Sequence, residues 1–241
     1  MNARRHPWRI ALVIVAVLLG IPVAIVGIAW LTYNSSVTTD LSVSGGALVS
    51  ADGRTVSVTA GALCDDTVTL TADEQPASVV ITLHDTHPRI ARCSGMPGFA
   101  VYHVPLVQPL GRRRLLDGLT GDRIPFFDVA DVVRPTYVPP GYVFRYDAPE
   151  AVELFSYGYP PLPKAAVCSQ LYERGDDVLI ITQGGTLLPP RAKPRHITVS
   201  GHPALEFTGA ITWTAHGQRF TVSAQDLSAA ELIAVADGMP A

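Results

Sequence analysis

The sequence predicts a membrane-anchored protein that is mainly β with an α+β ending. Its parts are one N-terminal transmembrane helix, a small β-sandwich-like module, and an antiparallel sheet module closed by a C-terminal helix. Three observations carry this expectation. Ile10 to Leu31 is an apolar run without a charged residue. From Leu41 onward, short runs rich in β-branched residues alternate with Gly, Pro, Asp and Ser turn signals. Only after Ser228 does the apolar period change from two to that of a helix.

At about 1.5 Å per helical residue, the 22 residues from Ile10 to Leu31 reach roughly 33 Å, enough for a hydrocarbon core of about 30 Å. Gly20, Pro22 and Gly27 would weaken a helix in water, but lipid offers the backbone no other partners, so the helix tolerates them. Arg4, Arg5 and Arg9 precede the run, whereas residues 32–53 hold no Lys or Arg, an asymmetry that keeps the N-terminus in the cytoplasm. Trp8, Trp30 and Tyr33 bracket the span where amphipathic aromatics prefer the interface. A cleaved signal peptide is the competing reading, with Gly27 and Ala29 as small residues at a cleavage site. Its apolar region would exceed the usual 7 to 15 or so residues. Residues 1–9 form a cytoplasmic tail too short to bury a core, so the work falls to the segments beyond the membrane or to helix-to-helix contacts within it. Three of the 18 basic residues lie in that tail, leaving 15 outside against all 21 acidic ones, a formal charge of −6. This balance excludes a nucleic-acid partner; the expected partners are the lipid bilayer and an envelope or membrane protein.

A juxtamembrane linker, 32–40, leads to the β-sandwich-like module, 41–128. Strand patterns appear at RTVSVTA, DTVTLTAD, ASVVITLHD and FAVYHVPLV. Cys64 and Cys93 stand 29 positions apart in a compartment that is oxidising, and a Cys64 to Cys93 disulfide is expected; pairings of either with Cys168 remain as alternatives. Such a loop closure contributes about 3 kcal/mol. Residues 106–128, LVQPLGRRRLLDGLTGDRIPFFD, read as a hairpin-like element. In a strand Arg112 and Arg114 project to one face and Arg113 to the other, so the triplet is not one basic patch. Solvated edge charge is expected there, with contact to anionic head groups as the other possibility.

A Pro-rich linker, 129–140, precedes the α+β module, 141–241. Its strand candidates are YVFRY, AVCSQLYE, DVLIITQGG, RHITVSG, ALEFTGAITWTA and QRFTVSA, with His216-Gly217 as a hairpin turn. Ser228 and Glu231 form a capping box before Leu232, Ile233, Val235 and Ala236, and Gly238 stops the helix. The helix must pack on the sheet, with Leu179, Ile181, Phe207, Trp213 and Leu232 as core or as the lining of an apolar ligand site.

Catalytic signatures are missing. No GxSxG, HExxH, CxxC or phosphate-cradling loop occurs, so no catalytic, cofactor-binding or metal residues are assigned and no cofactor is expected. His84 and His87 of HDTH converge on a metal only if Asp85-Thr86 is a turn, with His103 as a third candidate. Asp65-Asp66 and Asp176-Asp177 read as turn carboxylates. Cys168 reads as a buried thiol or as one half of an intermolecular disulfide. Tyr157, Tyr159 and the prolines of YGYPPLP suggest a rigid loop or a peptide-accepting surface.

The succession DGRTVSV, GALCDD, VVITLHDT, CSG and PLGRRRLLDGLTGDRIPFFD resembles a juxtamembrane module of actinobacterial single-span membrane proteins with no assigned activity. YVPPGYVF, DVLIITQGG, ITVSGHPALEF and ITWTAHGQRFTVSAQDLSAAELIAVADGM resemble a domain of unknown function. It occurs in the extracytoplasmic parts of bacterial anti-sigma-factor-like, sporulation-related and lipoprotein-sorting-like proteins. The resemblance implies binding, sensing or scaffolding outside the membrane rather than catalysis. The chain departs from the anti-sigma pattern in lacking the intracellular sigma-binding domain. A carrier for a lipid or lipoprotein is the alternative expectation, and an envelope hydrolase a weaker one.

Overall fold

The computed structural model describes residues 36–43, 45–62, 67–88, 98–149, 166–184 and 193–240. The predicted transmembrane run, Cys64 and Cys93 of the predicted disulfide, and the YGYPPLP segment lie outside the described residues. Among those described, no helix is long and apolar enough to cross a membrane.

The first unit is two four-stranded sheets around a shared core. One sheet runs β1 (Ser36–Leu41), β5 (Ser78–Pro88), β4 (Thr67–Glu74), with β7 (Arg114–Asp117) also pairing β5. The other runs β6 (Gly98–Pro105), β3 (Thr55–Ala62), β2 (Ala47–Val49), β8 (Phe126–Asp128). Strand alternation supplies the packing: Val79, Ile81 and Leu83 of β5 and Val56 and Val58 of β3 are buried in one cluster, while Thr82 and His84 project away from it. All of β1 but Leu41 lies within what the sequence marks as juxtamembrane linker. Its six residues are mostly exposed, and their Thr-rich polarity hides the strand from an apolar-pattern reading.

The stretch 106–128 does turn back on itself like a hairpin, with Leu116 bridged antiparallel to Arg123 and Ile124 donating its N–H to the Leu115 carbonyl, but it does not stay on one edge. β7 pairs parallel with β5 in one sheet and β8 pairs parallel with β2 in the other, so this segment closes the sandwich by belonging to both. Arg113 turns inward to Glu74 (2.9 Å) and also donates to the carbonyls of Gln108 and Pro109, while Arg112 and Arg114 face solvent. Ser36 lies beside Pro88 and Arg114 beside Ser78, at opposite ends of β5. That separation is roughly 33 Å along the strand.

Asp117 holds the junction. β1 and β7 occupy successive parts of the same edge of β5, and where they meet the Asp117 carboxylate is 1% exposed. It accepts from Ser42 Oγ (2.7 Å), Val43 N (2.7 Å), Leu119 N (2.8 Å) and Thr120 N (3.1 Å). Burial by itself raises this carboxyl's pKa, but these donors outweigh it and hold it below the ordinary Asp value. Gly118 follows because a Cβ there would come within 2.1 Å of Thr82 Oγ1.

The second unit is one seven-stranded antiparallel sheet in the order β12-β13-β14-β15-β11-β10-β9: Arg195–Val199, His202–Phe207, Ala210–Ala215, Gln218–Ala224, Asp177–Gly184, Val167–Arg174 and Val143–Ala148. Helix α1 (Ala229–Asp237) packs Leu232, Val235 and Ala236 against one face. The Ser228–Glu231 capping box starts it, as the sequence predicts.

Because its folded pKa is depressed, Asp117 contributes stability that is complete above the ordinary Asp value near 4 and is lost as pH falls through the lower folded value. Asp117→Asn leaves buried donors unmatched and is expected to cost about 2 to 3 kcal/mol at pH 7. Thermal unfolding at pH 7 checks this, and the gap between variant and parent should narrow below about pH 4.

Candidate interaction surface

The five residues expected to line a core or ligand site do not stay together. Leu179, Ile181, Trp213 and Leu232 pack against one another between helix and sheet, each at most 5% exposed. Phe207 does not join them. In β13 the positions sharing Trp213's face are Ala204 and Glu206, so Phe207, opposite Ala210, projects from the other face and is half-buried. The two apolar positions differ by parity in a strand whose register the sequence does not show.

The Pro-rich stretch after β8 is a strap rather than a free tether. Val133 donates its N–H to Gln183 Oε1 and accepts from Gln170 Nε2, both at 2.8 Å. Gln170 and Gln183 are fully buried on the core face of β10 and β11, and Tyr172 donates its hydroxyl to Gln170 Oε1 (3.1 Å). Farther along, the Thr136 N–H and hydroxyl both donate to the Gly238 carbonyl at the end of α1. Val133 and Val138 pack on the core. The glutamines in CSQLY and IITQGG are the sequence signal for this strap: polar residues at core-facing strand positions need partners.

Cys168 sits beside the strap, fully buried and free, in a small cluster with Leu48 and Phe127 of the first unit. Burial, with the Asp147 charge adding to it, pushes its thiol up to about 12. A thiol so placed meets no second chain without unfolding.

The HDTH histidines do not converge. β5 runs straight through Asp85-Thr86, so His84 and His87 fall on opposite faces; His103 lies in the other sheet, 2.7 Å from Ser57 Oγ. His84 instead bonds Asp40 Oδ1 through Nδ1 (2.7 Å) and Thr71 Oγ1 through Nε2 (3.0 Å). The connectivity is that of a hydroxyl, imidazole and carboxylate row. It lies on an open sheet face with Asp40 half exposed, without the dry enclosure in which fixed donors stabilise an oxyanion. It works as a cross-strand polar ladder linking β1, β5 and β4. Asp177 pairs with Arg174 (3.5 Å), and Arg174 joins Asp226 (2.5 Å), which also accepts from Tyr142; the group pins the start of α1. Burial and the Asp226 bond raise the Tyr142 pKa above its ordinary value.

Among the described residues no strand pairs with the outer side of β9. Val143, Phe144 and Tyr146 of β9 are 57%, 43% and 44% exposed, and Val178 lies in the same cross-strand row as Val143, with Glu173 between them. These make four of the eight exposed large apolar side chains among the described residues, gathered at one corner of the molecule. Arg145 occupies a bulge between Phe144 and Tyr146 and pairs with Glu173 (2.8 Å). Arg134 of the strap pairs both nitrogens with Asp147 and lies 4.8 Å from the Phe144 ring centroid. Bulge and charge guard the strand against unlimited edge-to-edge stacking but leave the apolar side chains open. The strand itself is visible in YVFRY; that it lies at an edge is not.

No protein-family model matches the chain, and no curated protein matches it in sequence.

Two outcomes follow from the strap. Native protein treated with iodoacetamide at pH 8 should leave Cys168 unmodified in peptide mass mapping, with alkylation appearing only on denaturation. Gln183→Leu strips Val133 N–H of its acceptor at a cost of about 1 to 3 kcal/mol. It should speed chymotryptic cleavage after Tyr137 at least tenfold over the parent.

Proposed function

We propose that the chain is a single-span, N-in membrane protein that holds two extracytoplasmic units at the cell surface, where it binds an extended segment of another envelope polypeptide along β9. The carrying observation is the exposure of Val143, Phe144 and Tyr146 on an edge strand without a described neighbour, with Val178 two strands in along the same row as Val143. An open edge offers backbone donors and acceptors in a row, and side chains alternating to both faces give a bound strand apolar contacts on each side. Lipid would use the apolar surface but not the edge, which favours a polypeptide. The binding or sensing role implied by the resemblance of residues 141–241 agrees with this, and the charge-free run 10–31 with its arginine asymmetry supports the anchor. A carrier for an acyl chain would have to part the helix from Leu179, Ile181 and Trp213, which now fill that space themselves.

The test is site-specific photocrosslinking in intact cells, with the probe at Tyr146 or at Thr198 on the opposite edge strand. A discrete heavier product from position 146 alone is expected, abolished by Val143→Asp combined with Val178→Asp. Those exposed positions should change stability by only about 0.5 kcal/mol each. Equal products from both positions, or none from 146, would sink the proposal.

A further inference from the structure

We propose that His202 and His216 form a two-histidine site for a borderline divalent transition-metal ion, the class of Cu2+, Ni2+ and Zn2+, on the hairpin end of the seven-stranded sheet. The site is separate from β9 and does not rest on the function proposed for that edge. Two neighbouring hairpins build it. β12 and β13 are joined by Ser200-Gly201, and β14 and β15 by His216-Gly217. All four turn residues have positive φ, at 45°, 79°, 50° and 73°, the left-handed pair that a tight two-residue hairpin requires. β13 pairs with β14, and continuing that ladder two steps from Ala204 opposite Trp213 brings His202 level with Ala215, next to His216.

The ring centroids are 6.4 Å apart with the planes at 68°. Two imidazoles bound at about 2.0 to 2.1 Å to one tetrahedral ion have centroids roughly 5 Å apart, and farther apart at wider ligand angles, so side-chain rotation suffices to close the pair. The rings are presented on a stiff base. Ser200 donates its N–H to Asp237 Oδ1 (2.7 Å), fastening the first turn to the end of α1, and Trp213 stacks on Phe220 at 5.4 Å beneath the second hairpin. His202 opens β13 and His216 sits in a tight two-residue turn, so paired strands hold both backbones.

Their lack of other partners distinguishes these two rings. His84 is committed to Asp40 and Thr71, His103 to Ser57, and His87 faces Asp85. Among the described residues neither His202 nor His216 has a hydrogen-bond or ion-pair partner, and no third His, Cys, Asp or Glu joins them. Imidazole nitrogen suits copper, nickel and zinc and not calcium or magnesium, and two protein ligands leave positions for water.

The test uses the full-length protein in detergent, titrated with Cu2+ alone and with Zn2+ alone in a non-coordinating buffer. Electron paramagnetic resonance of the first Cu2+ equivalent should show two coupled nitrogens. His216→Asn keeps a residue that the turn favours, so it removes the ligand without disturbing the hairpin. His216→Asn and His202→Ala should each weaken the first equivalent at least tenfold for both ions, the double variant no more than either single, and His196→Ala should leave it unchanged. A first equivalent insensitive to both substitutions, losses that simply add, or a one-nitrogen spectrum would each overturn the chelate.

Discussion

The structure hangs on one backbone residue. Val133 lies where the chain passes from the sandwich to the large sheet, and its N–H and carbonyl are taken by the buried amides of Gln183 and Gln170. A strap crossing an apolar sheet face would otherwise bring unsatisfied backbone groups into the core, at about 1 to 3 kcal/mol each. With those groups satisfied, Val133 and Val138 can bury beside α1. Phe127 and Leu48 then meet Cys168, and Arg134 reaches Asp147 and Phe144 at the root of β9. The join between the units and the setting of the candidate edge therefore share one cause.

Asp117 plays the corresponding part in the sandwich. Where two strands meet end to end on one neighbour, the chain leaving β1 and the turn after β7 both present backbone N–H groups outside the ladder, and one carboxylate with several acceptor positions serves them. Both junctions are thus solved by a buried polar side chain matched to backbone groups. The apolar cores give bulk stabilisation, which is not directional; these polar contacts decide which strand lies beside which.

Much of the fold was legible because strand alternation and helix capping act locally. The runs around Val56, Leu70, Ile81, Leu179 and Val222 became strands, and the Ser228–Glu231 box began the helix. Three things escaped. β1 is too polar and β2 too short to show an apolar period; residues 106–128 show a strand and a return edge but not their parallel pairing with strands distant in sequence; and Phe207 sits at the wrong parity for the core. In the candidate site, YVFRY was legible as a strand, whereas Gln170 and Gln183, polar residues within apolar runs, passed as ordinary strand positions. Their shared relation to Val133 was not legible, because nothing within a strand says what crosses its face.

The sequence by itself determined the secondary-structure classes, the turn positions such as His216-Gly217, the helix limits and the apolar run 10–31, since each depends on residues within a few positions of one another. Only the tertiary structure decided that β9 is the last described strand of its sheet, that residues 106–128 divide between two sheets, that HDTH splits across two faces, and that His202 meets His216. These outcomes turn on strand order and register, which are fixed by long-range pairing and by the demand that buried backbone groups find partners.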